Sequence, residues 1–127
     1  MTPTEIIRQD ATREDYDPDI VLRKISKLVS SKGAILLQSN NSLLLLIALP
    51  DNDAELHLYT ADAPLTLAKS LKEFVQKIRD SEIETVYGSA EIPQTLELLK
   101  RLGVDVQPSD KPVYHWMAPA DPVQGNI

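Results

Sequence analysis

A carboxylate, an imidazole and a phenol alternate along one short segment near the middle of the chain. Glu55, His57 and Tyr59 are each separated from the next by one residue. Side chains alternate between the two faces of a β-strand, so a strand here would place all three groups on one face. If that face lined a cleft, Glu55 or His57 could act as general base on an amine, with Tyr59 as general acid. The alternative is that these residues form an ordinary half-exposed polar face of the strand. We prefer this alternative to the catalytic interpretation.

Composition removes several other kinds of chemistry. The chain has no cysteine, which excludes disulfides, thiolate catalysis and cysteine-bound zinc or iron–sulfur sites. Its two histidines, His57 and His115, have no supporting ligand spacing, so we expect no metal site. The net charge is −6, and no Lys/Arg cluster is available for nucleic-acid phosphates. An acidic decoy that occupies a nucleic-acid-binding protein stays open but ranks last, because the charge is spread along the chain.

The chain has the size and composition of one globular domain. It has 127 residues, of which 43% are hydrophobic and 25% charged. The N-terminus lacks the basic and apolar segments of a signal peptide, and the apolar run Leu43–Leu49 is too short to span a bilayer. We therefore expect a soluble cytoplasmic protein with no membrane partner. The domain is predicted over residues 1–117, followed by a tail at residues 118–127 that contacts a protein partner or a second copy.

The elements that must hold the Glu55–Tyr59 segment can be predicted from periodicity and turn residues. Apolar residues recur at helical spacing over residues 19–31, in a helix that Asp17 or Asp19 would cap and Pro18 would begin. Asn40 and Asn41 favour a tight hairpin turn. The run Leu43–Leu49 does not alternate, which indicates a strand covered on both faces. Upstream of Ala54 we expect a strand at Thr4–Arg8, a loop at Asp10–Pro18, the helix, strands at Ala34–Gln38 and Ser42–Leu49, and a turn at Pro50–Asp53.

A long amphipathic helix is expected after the strand Glu55–Thr60. Its apolar stripe falls at helical spacing, and Asp62 and Thr66 are its candidate N-caps. A second helix has Lys100 and Arg101 before Gly103, as suits a helix C-terminus. The predicted elements are the helix Pro64–Asp80 with the stripe Ala68, Leu71, Phe74, Val75 and Ile78, a strand at Ile83–Tyr87, the helix Pro93–Leu102 and a strand at Val113–Met117. This order predicts one α/β (α+β) domain.

The order of a helix, an antiparallel meander, a long helix, a strand, a helix ending in Leu-Gly and a last strand resembles the GNAT (GCN5-related N-acetyltransferase) fold. The resemblance extends from about Asp10 to Met117. More narrowly, Glu55–Ala61, Lys69–Phe74 and Pro93–Gly103 look like segments of short acetyltransferase-like proteins encoded in tailed-phage genomes. It implies a GNAT-like architecture in which the antiparallel β-meander continues into a mixed sheet flanked by helices.

The resemblance also implies a place for a cofactor. In the GNAT family, acetyl-CoA binds where the last strand of the meander splays from its neighbour, and a Gln/Arg-x-x-Gly-x-Gly/Ala loop at a helix N-terminus holds the pyrophosphate. Glycines let the backbone approach the phosphates, and the helix dipole favours their charge. An enzymatic version of this chain would therefore use acetyl-CoA. The residues that would bind it are Thr60, Ala61, Thr66, Leu67, Ala68 and Ser70.

The sequence departs from this phosphate-binding pattern. Aligned on the helix, Ala63 stands at the Gln/Arg position, Pro64 and Thr66 stand within the glycine-containing loop, and Ala68 stands at the final Gly/Ala. Pro64 has no N–H to donate, and Thr66 adds a side chain where a phosphate would approach. Asp62, just before them, adds negative charge against an anion.

The second GNAT signature is changed as well. Counting back from Gly103, Leu99 stands where many relatives have the tyrosine that protonates the leaving thiolate, and Ile92 stands at the asparagine position. Leucine cannot donate a proton, so Leu99 is expected in the core. Two functions therefore rank above the acidic decoy. The first is a non-catalytic interaction protein without a cofactor, such as a phage virion or accessory component; the second is an acetyl-CoA-dependent N-acyltransferase that uses Glu55 or His57 as base.

Overall fold

The structure is a computed structural model that describes residues 1–88, 93–108 and 116–119. Four helices flank a single mixed sheet in the described part of the chain. The elements, in chain order, are α1 (Pro3–Arg13), α2 (Pro18–Ser30), β1 (Ala34–Ser39), β2 (Ser42–Ala48), a 3-10 turn (Pro50–Asn52), β3 (Asp53–Thr60), α3 (Pro64–Arg79), β4 (Thr85–Gly88), α4 (Pro93–Arg101), β5 (Gln107–Pro108) and β6 (Trp116–Pro119).

The sheet has the strand order β1-β2-β3-β4-β6-β5. The first three strands form an antiparallel meander, β4 joins β3 in parallel, and β6 pairs antiparallel with both β4 and β5. This is the predicted meander continuing into a mixed sheet. The two-residue strand β5 was not predicted, and β6 continues to Pro119, beyond the predicted end of the last strand.

Helices cover both faces of the sheet. Leu43 and Leu45 of β2 pack with residues of α1 and α2, whereas Leu44 and Leu46 pack with residues of α3 and α4. These four leucines are at most 4% exposed. The prediction that the Leu43–Leu49 strand is covered on both faces is therefore confirmed over Leu43–Leu46. The fold has three layers, with the sheet in the middle.

The predicted first strand at Thr4–Arg8 is wrong, because these residues form part of α1. The Oγ1 of Thr2 accepts a hydrogen bond from the N–H of Glu5 at 3.2 Å, and Glu5 Oε1 accepts one from the N–H of Thr2 at 2.9 Å. This capping box, with Pro3 in the first turn, begins a helix. Ile6 and Ile7 are buried, and α1 runs on to Arg13, so the predicted loop at Asp10–Pro18 is wrong for its first four residues.

Several local predictions are confirmed. Asp17 caps α2 by accepting a hydrogen bond from the N–H of Asp19 at 2.9 Å. Asn40, with φ of 52°, makes the hairpin turn between β1 and β2, and Gly103, with φ of 85°, follows α4. The N-cap prediction for α3 is wrong, since Ala63 occupies that position without a side-chain hydrogen bond. Asp62 is instead bonded to the β1–β2 turn.

Three expectations fall partly or wholly outside the described residues. Residues 113–115 of the predicted last strand and residues 120–127 of the predicted tail lie there, and so does Ile92. Ala118 and Pro119, which the sequence assigned to the tail, pair with β4 as part of β6. Within the described part of the chain, no helix combines the length and the apolar character needed to cross a membrane.

Candidate functional site

The candidate site is the gap that opens between β3 and β4. The two strands pair only at their beginnings, through Asp53 with Thr85, Ala54 with Val86 and Glu55 with Tyr87. From Leu56 to Thr60, no residue of β4 pairs with β3 among the described residues. Among the described residues, this part of β3 therefore has β2 on one side and no paired strand on the other.

The hydrogen-bonding pattern identifies which backbone groups face this edge. The N–H of Ala61 donates to the carbonyl of Asn41 at 2.9 Å, so odd-numbered residues of β3 exchange hydrogen bonds with β2. The backbone groups of the intervening residues, Leu58 and Thr60 among them, point toward the gap. A bound molecule with amide groups could pair with β3 there as an additional strand does.

Two side chains of α1 already occupy the edge at Thr60. Asp10 Oδ2 accepts a hydrogen bond from the N–H of Thr60 at 2.9 Å, and Arg13 Nη1 donates to the carbonyl of Thr60 at 2.9 Å. Arg13 Nη2 also donates to Asp10 Oδ2 at 2.7 Å. We call this arrangement of Asp10, Arg13 and Thr60 the edge clamp. It satisfies both outward backbone groups of the last residue of β3.

The edge clamp contains a buried carboxylate. The side chain of Asp10 is 8% exposed, against 46% for Arg13. Burial raises the pKa of Asp10 above its usual value of 3.8, while the Thr60 N–H and the Arg13 charge act in the opposite direction. A buried carboxylate without such partners would be strongly destabilising, so Arg13 and Thr60 are what make this position tolerable for Asp10.

The polar face predicted for β3 lies on the side of α1 and α2. Glu55 and His57 are neighbours on that face, with His57 Nε2 3.3 Å from Glu55 Oε1. Their side chains are 20% and 40% exposed, respectively, so solvent or a ligand can reach both. A carboxylate beside an imidazole can orient the ring and accept a proton, which is the chemistry the spacing predicted.

Tyr59 differs from its two neighbours on this face because it is packed among apolar residues. It contacts the cluster that includes Ile6, Ile25 and Leu43. Burial, together with the nearby charges of Asp10 and Glu55, raises the pKa of Tyr59 to about 12. A phenol with this pKa stays protonated at neutral pH and is a weak general acid. The structure thus brings Glu55 and His57 together and places Tyr59 against the core.

Two of the predicted cofactor-binding hydroxyls are engaged inside the protein. Ser70 is fully buried, and its Oγ donates to the carbonyl of Ser39 at 3.0 Å and accepts from Asn40 Nδ2 at 3.0 Å. The Oγ1 of Thr60 lies 2.7 Å from Ser42 Oγ and accepts from the N–H of Asp62 at 3.0 Å. Both hydroxyls therefore join the hairpin turn to the start of α3.

Asp62 is the acceptor around which these bonds are arranged. Its carboxylate accepts hydrogen bonds from Ser42 Oγ at 2.6 Å and from the N–H of Asn41 at 3.1 and 3.2 Å. These bonds hold its charge at the β1–β2 turn. Asp62 is thus a structural acceptor in this network, and it does not cap α3.

The other predicted cofactor-binding residues lie at the N-terminus of α3 or beside it. The N–H of Ala61 is bonded to the carbonyl of Asn41, and Leu67 packs against the α3 core. Thr66 and Ala68 are half-buried. Within the described part of the chain, the N–H groups of Leu65 and Thr66 have no hydrogen-bond partner. The helix start therefore offers two backbone donors, and Pro64 removes a third.

Leu99 lies in the core, as predicted. It is 8% exposed and belongs to the same apolar cluster as Phe74 and Leu71. No general acid therefore stands at this position of α4. Among the described residues, no group of three or more His, Cys, Asp or Glu side chains could hold a metal ion.

Comparison with known structures relates this geometry to a known architecture. The chain is similar to the crystal structure of an acetyltransferase of the GNAT family from Staphylococcus aureus Mu50, with a TM-score of 0.63. The superposition covers 93% of this chain and 90% of that one. This chain has the GNAT fold. At 16% sequence identity the likeness is one of fold.

Comparisons of sequence add no relative. No protein-family model matches the chain, and no curated protein matches it. The sequence did not identify Asp10 and Arg13 as site residues, because the turn-forming residues of Asp10–Pro18 predict a loop there. The signal that could have found them is the capping box Thr2–Glu5, which begins a GNAT α1 long enough to carry both residues one turn apart.

Proposed function

We propose that this GNAT-fold chain is a non-catalytic interaction protein that binds no acetyl-CoA. The observation that carries the proposal is the edge clamp. A pantetheine arm lying along β3 would need the backbone groups of Thr60, and Asp10 and Arg13 of the same chain hold them. A ligand would have to break two hydrogen bonds and leave a buried carboxylate with fewer partners, which is unfavourable.

Three further features support the proposal. The hydroxyls of Thr60 and Ser70 are satisfied internally, so neither has a free donor for a phosphate. Pro64 lacks an N–H in the first turn of α3, so it removes one backbone donor from the start of the helix. Leu99, in the core, replaces the general acid of many relatives. A fold that is shared with enzymes does not by itself confer catalytic activity, because catalysis depends on the residues of the site.

The finer proposal concerns where such a protein would act. The segments Glu55–Ala61, Lys69–Phe74 and Pro93–Gly103 resemble short phage-encoded proteins, so we propose a phage virion or accessory component synthesised in the host cytoplasm. The acidic charge of −6 and the proline-containing segment at residues 118–127 support a role in protein contacts. The tail is the proposed partner-contacting segment.

The test is a calorimetric titration of the full chain with acetyl-CoA, with an active GNAT acetyltransferase measured in parallel as a positive control. We expect no binding heat from this chain under conditions in which the control saturates. Micromolar binding by the wild-type chain would overturn the proposal. An Arg13→Ala variant, measured alongside, shows whether opening the edge clamp creates affinity that the wild-type chain lacks.

A second candidate function is N-acyl transfer, which the Glu55–His57 pair beside the open edge favours. In this reaction the amine nitrogen attacks the thioester carbon of acetyl-CoA, the C–S bond breaks, and CoA leaves. Glu55 or His57 would take the proton from the amine, and the thiolate would be protonated from solvent, because Tyr59 is a weak acid. The products are an amide and free CoA thiol.

This candidate predicts thiol release from acetyl-CoA that depends on an added amine. Glu55→Ala and His57→Ala should each reduce the rate by about 10²–10⁴-fold, the range of a lost general base. Glu73→Ala, a change on the far face of the sheet, serves as the control and should leave the rate unchanged. If thiol release proceeds equally in all variants, the assignment of the base is wrong.

A further inference from the structure

Strand β1 forms one border of the sheet, and no described strand pairs with its outer edge. The N–H of Ala48 donates to the carbonyl of Gly33 at 2.9 Å, so odd-numbered residues of β1 exchange hydrogen bonds with β2. The backbone groups of Ala34, Leu36 and Gln38 therefore point outward. Within the described part of the chain, no hydrogen bond reaches any of them. Each copy of the chain thus presents three donors and three acceptors in a row.

This edge lacks the features that usually prevent strand pairing between molecules. Natural proteins protect border strands with charged residues, prolines or bulges, or keep them very short. The sequence of β1 is Ala-Ile-Leu-Leu-Gln-Ser, six residues with no charge and no proline, paired to β2 in unbroken register. The opposite border strand, β5, has only two residues. The β1 edge is therefore the one suited to accept an additional strand.

An apolar groove lies beside the free edge on the α3 face of the sheet. Its volume is about 280 Å³, and its lining includes Ile35, Leu46, Ala48 and Ile83, with Lys32 near the start of β1. Ile35, at the border of this groove, is 55% exposed. Covering this side chain would remove apolar surface from water at the same place where the backbone groups need partners.

We infer that the free edge of β1 pairs with β1 of a second copy of this chain, antiparallel and about a two-fold axis at Leu36. In this register Leu36 lies opposite Leu36 of the second copy, and Ala34 lies opposite Gln38 of the second copy. Each of the three outward residues then donates one backbone hydrogen bond to the second copy and accepts one from it. This is possible because the edge pairs with an identical edge about a two-fold axis. Ile35 then lies beside Leu37 of the second copy, on the α3 face.

Charge complementarity selects a second copy over an unrelated strand. Glu73 of α3 accepts a hydrogen bond from Ser39 Oγ at 2.6 Å, which fixes a carboxylate near the end of β1. Lys32 lies at the other end, on the same face. In the two-fold register, Ser39 of the second copy lies opposite Gly33, the neighbour of Lys32. Each end of the pairing therefore brings Lys32 of one copy toward Glu73 of the other.

This inference does not depend on the proposed function, because β1 is at the opposite side of β3 from the edge clamp. A GNAT-fold enzyme and a non-catalytic protein would dimerise equally well through it. Six residues a side make a small interface, so the expected state is a concentration-dependent monomer–dimer equilibrium and not a permanent dimer.

Sedimentation velocity of the full chain, from low micromolar to submillimolar concentration, tests the inference. The expected result is a shift from the chain mass of 14.1 kDa to twice that mass as concentration rises. Amide hydrogen exchange should show protection of Leu36 and Gln38 that is lost on dilution. A monomer at every concentration, or a dimer whose Leu36 and Gln38 amides stay unprotected, would overturn the inference.

Gln38→Pro removes one outward N–H from each copy without touching a bond to β2, and prolines are tolerated at such edge positions. It should weaken dimerisation by at least about tenfold, whereas Gln38→Ala, the matched control, keeps the N–H and should dimerise like the wild type. Equal weakening by both variants would overturn the pairing.

Charge reversal tests the register without a change in the backbone. Lys32→Glu places two carboxylates together at each end and should weaken the dimer. The double variant Lys32→Glu/Glu73→Lys should recover affinity relative to either single variant. An absence of recovery would contradict the register about Leu36.

Discussion

At the scale of single residues, burial decides what each polar side chain on β3 can do. Glu55 and His57 are partly exposed and lie 3.3 Å apart, so they remain available for proton transfer. Tyr59, two residues further along the same face, packs against Ile6 and Leu43 and has a pKa of about 12. Strand alternation places Glu55, His57 and Tyr59 on one face. Only Glu55 and His57 form a solvent-accessible pair, because the phenol of Tyr59 packs against the core.

Replacing Tyr59 by phenylalanine should remove the tyrosine that titrates near pH 12. The measurement is the phenolate absorbance of the folded chain as pH rises, with Tyr16→Phe as control, because Tyr16 is 57% exposed. The folded state holds the Tyr59 proton above the usual value of 10.0, so its contribution to stability falls as pH rises from about 10. A Tyr59 transition at the usual value would show that the phenol is not buried.

At the scale of elements, α3 is held by its apolar stripe. Leu71, Phe74 and Ile78 are each at most 7% exposed, and they pack against Leu44 and Leu46 of β2. The predicted helix Pro64–Asp80 and the observed α3 agree to within one residue. The helix begins without a side-chain cap, so packing is the main source of its stability.

Phe74→Ala should lower the free energy of unfolding by about 3–5 kcal/mol, because it leaves a cavity at a position that is 1% exposed. Chemical denaturation measures the change. Lys72→Ala, on the exposed face of the same helix, is the control and should change stability by less than about 0.5 kcal/mol. A near-wild-type value for Phe74→Ala would mean that the apolar stripe is assigned incorrectly.

At the scale of the whole molecule, the edge clamp ties the N-terminal helix to the end of the meander. Asp10 and Thr60 are 50 residues apart in sequence, and Arg13 and Thr60 are 47 apart. The clamp joins α1 to the end of β3 through side-chain bonds to the Thr60 backbone. It therefore contributes to how the N-terminal helix is held on the sheet.

Arg13→Ala should destabilise the chain by about 1–3 kcal/mol at neutral pH, because it leaves the Asp10 carboxylate buried with one partner fewer. Arg8→Ala, also on α1, breaks an ion pair with Asp19 of α2 whose side chains are 51% and 65% exposed, and it should cost less than about 1 kcal/mol. Denaturation of both variants under identical conditions measures the difference. Equal losses would show that the edge clamp is no stronger than a surface ion pair.

The same variant has a predicted pH dependence. The pKa of Asp10 is already raised above 3.8 by burial, and it should rise further without the Arg13 charge. The folded state then binds a proton at higher pH than the unfolded chain does. The destabilisation caused by Arg13→Ala therefore has its full size above the raised pKa of Asp10. It becomes smaller as pH falls toward about 4. A loss that is independent of pH would contradict this account of Asp10.

Local signals account for the parts of the fold that could be predicted. The Asn40 turn, the Asp17 cap, Gly103 and the α3 stripe each depend on residues within a few positions of one another. The β-branched residues at Thr4–Arg8 favour a strand, whereas the capping box at Thr2–Glu5 favours a helix. Both signals are local in sequence, and the capping box is the one that the structure follows. The sequence also indicated that Pro64, Thr66 and Leu99 do not match a working GNAT site.

By itself, the sequence determined the order of the elements from α2 to α4, because periodicity and turn chemistry depend on neighbouring residues. That order resembled the GNAT fold, although α1 and β5 were not predicted. Only the tertiary structure decided what the open edge of β3 contacts. Asp10 and Arg13 are unremarkable polar residues until folding brings them to the backbone of Thr60. The physical reason is that every residue has the same backbone N–H and carbonyl groups, so the sequence does not indicate which side chain will bond to them. Asp10 is 50 residues from Thr60, and no local sequence pattern links the two.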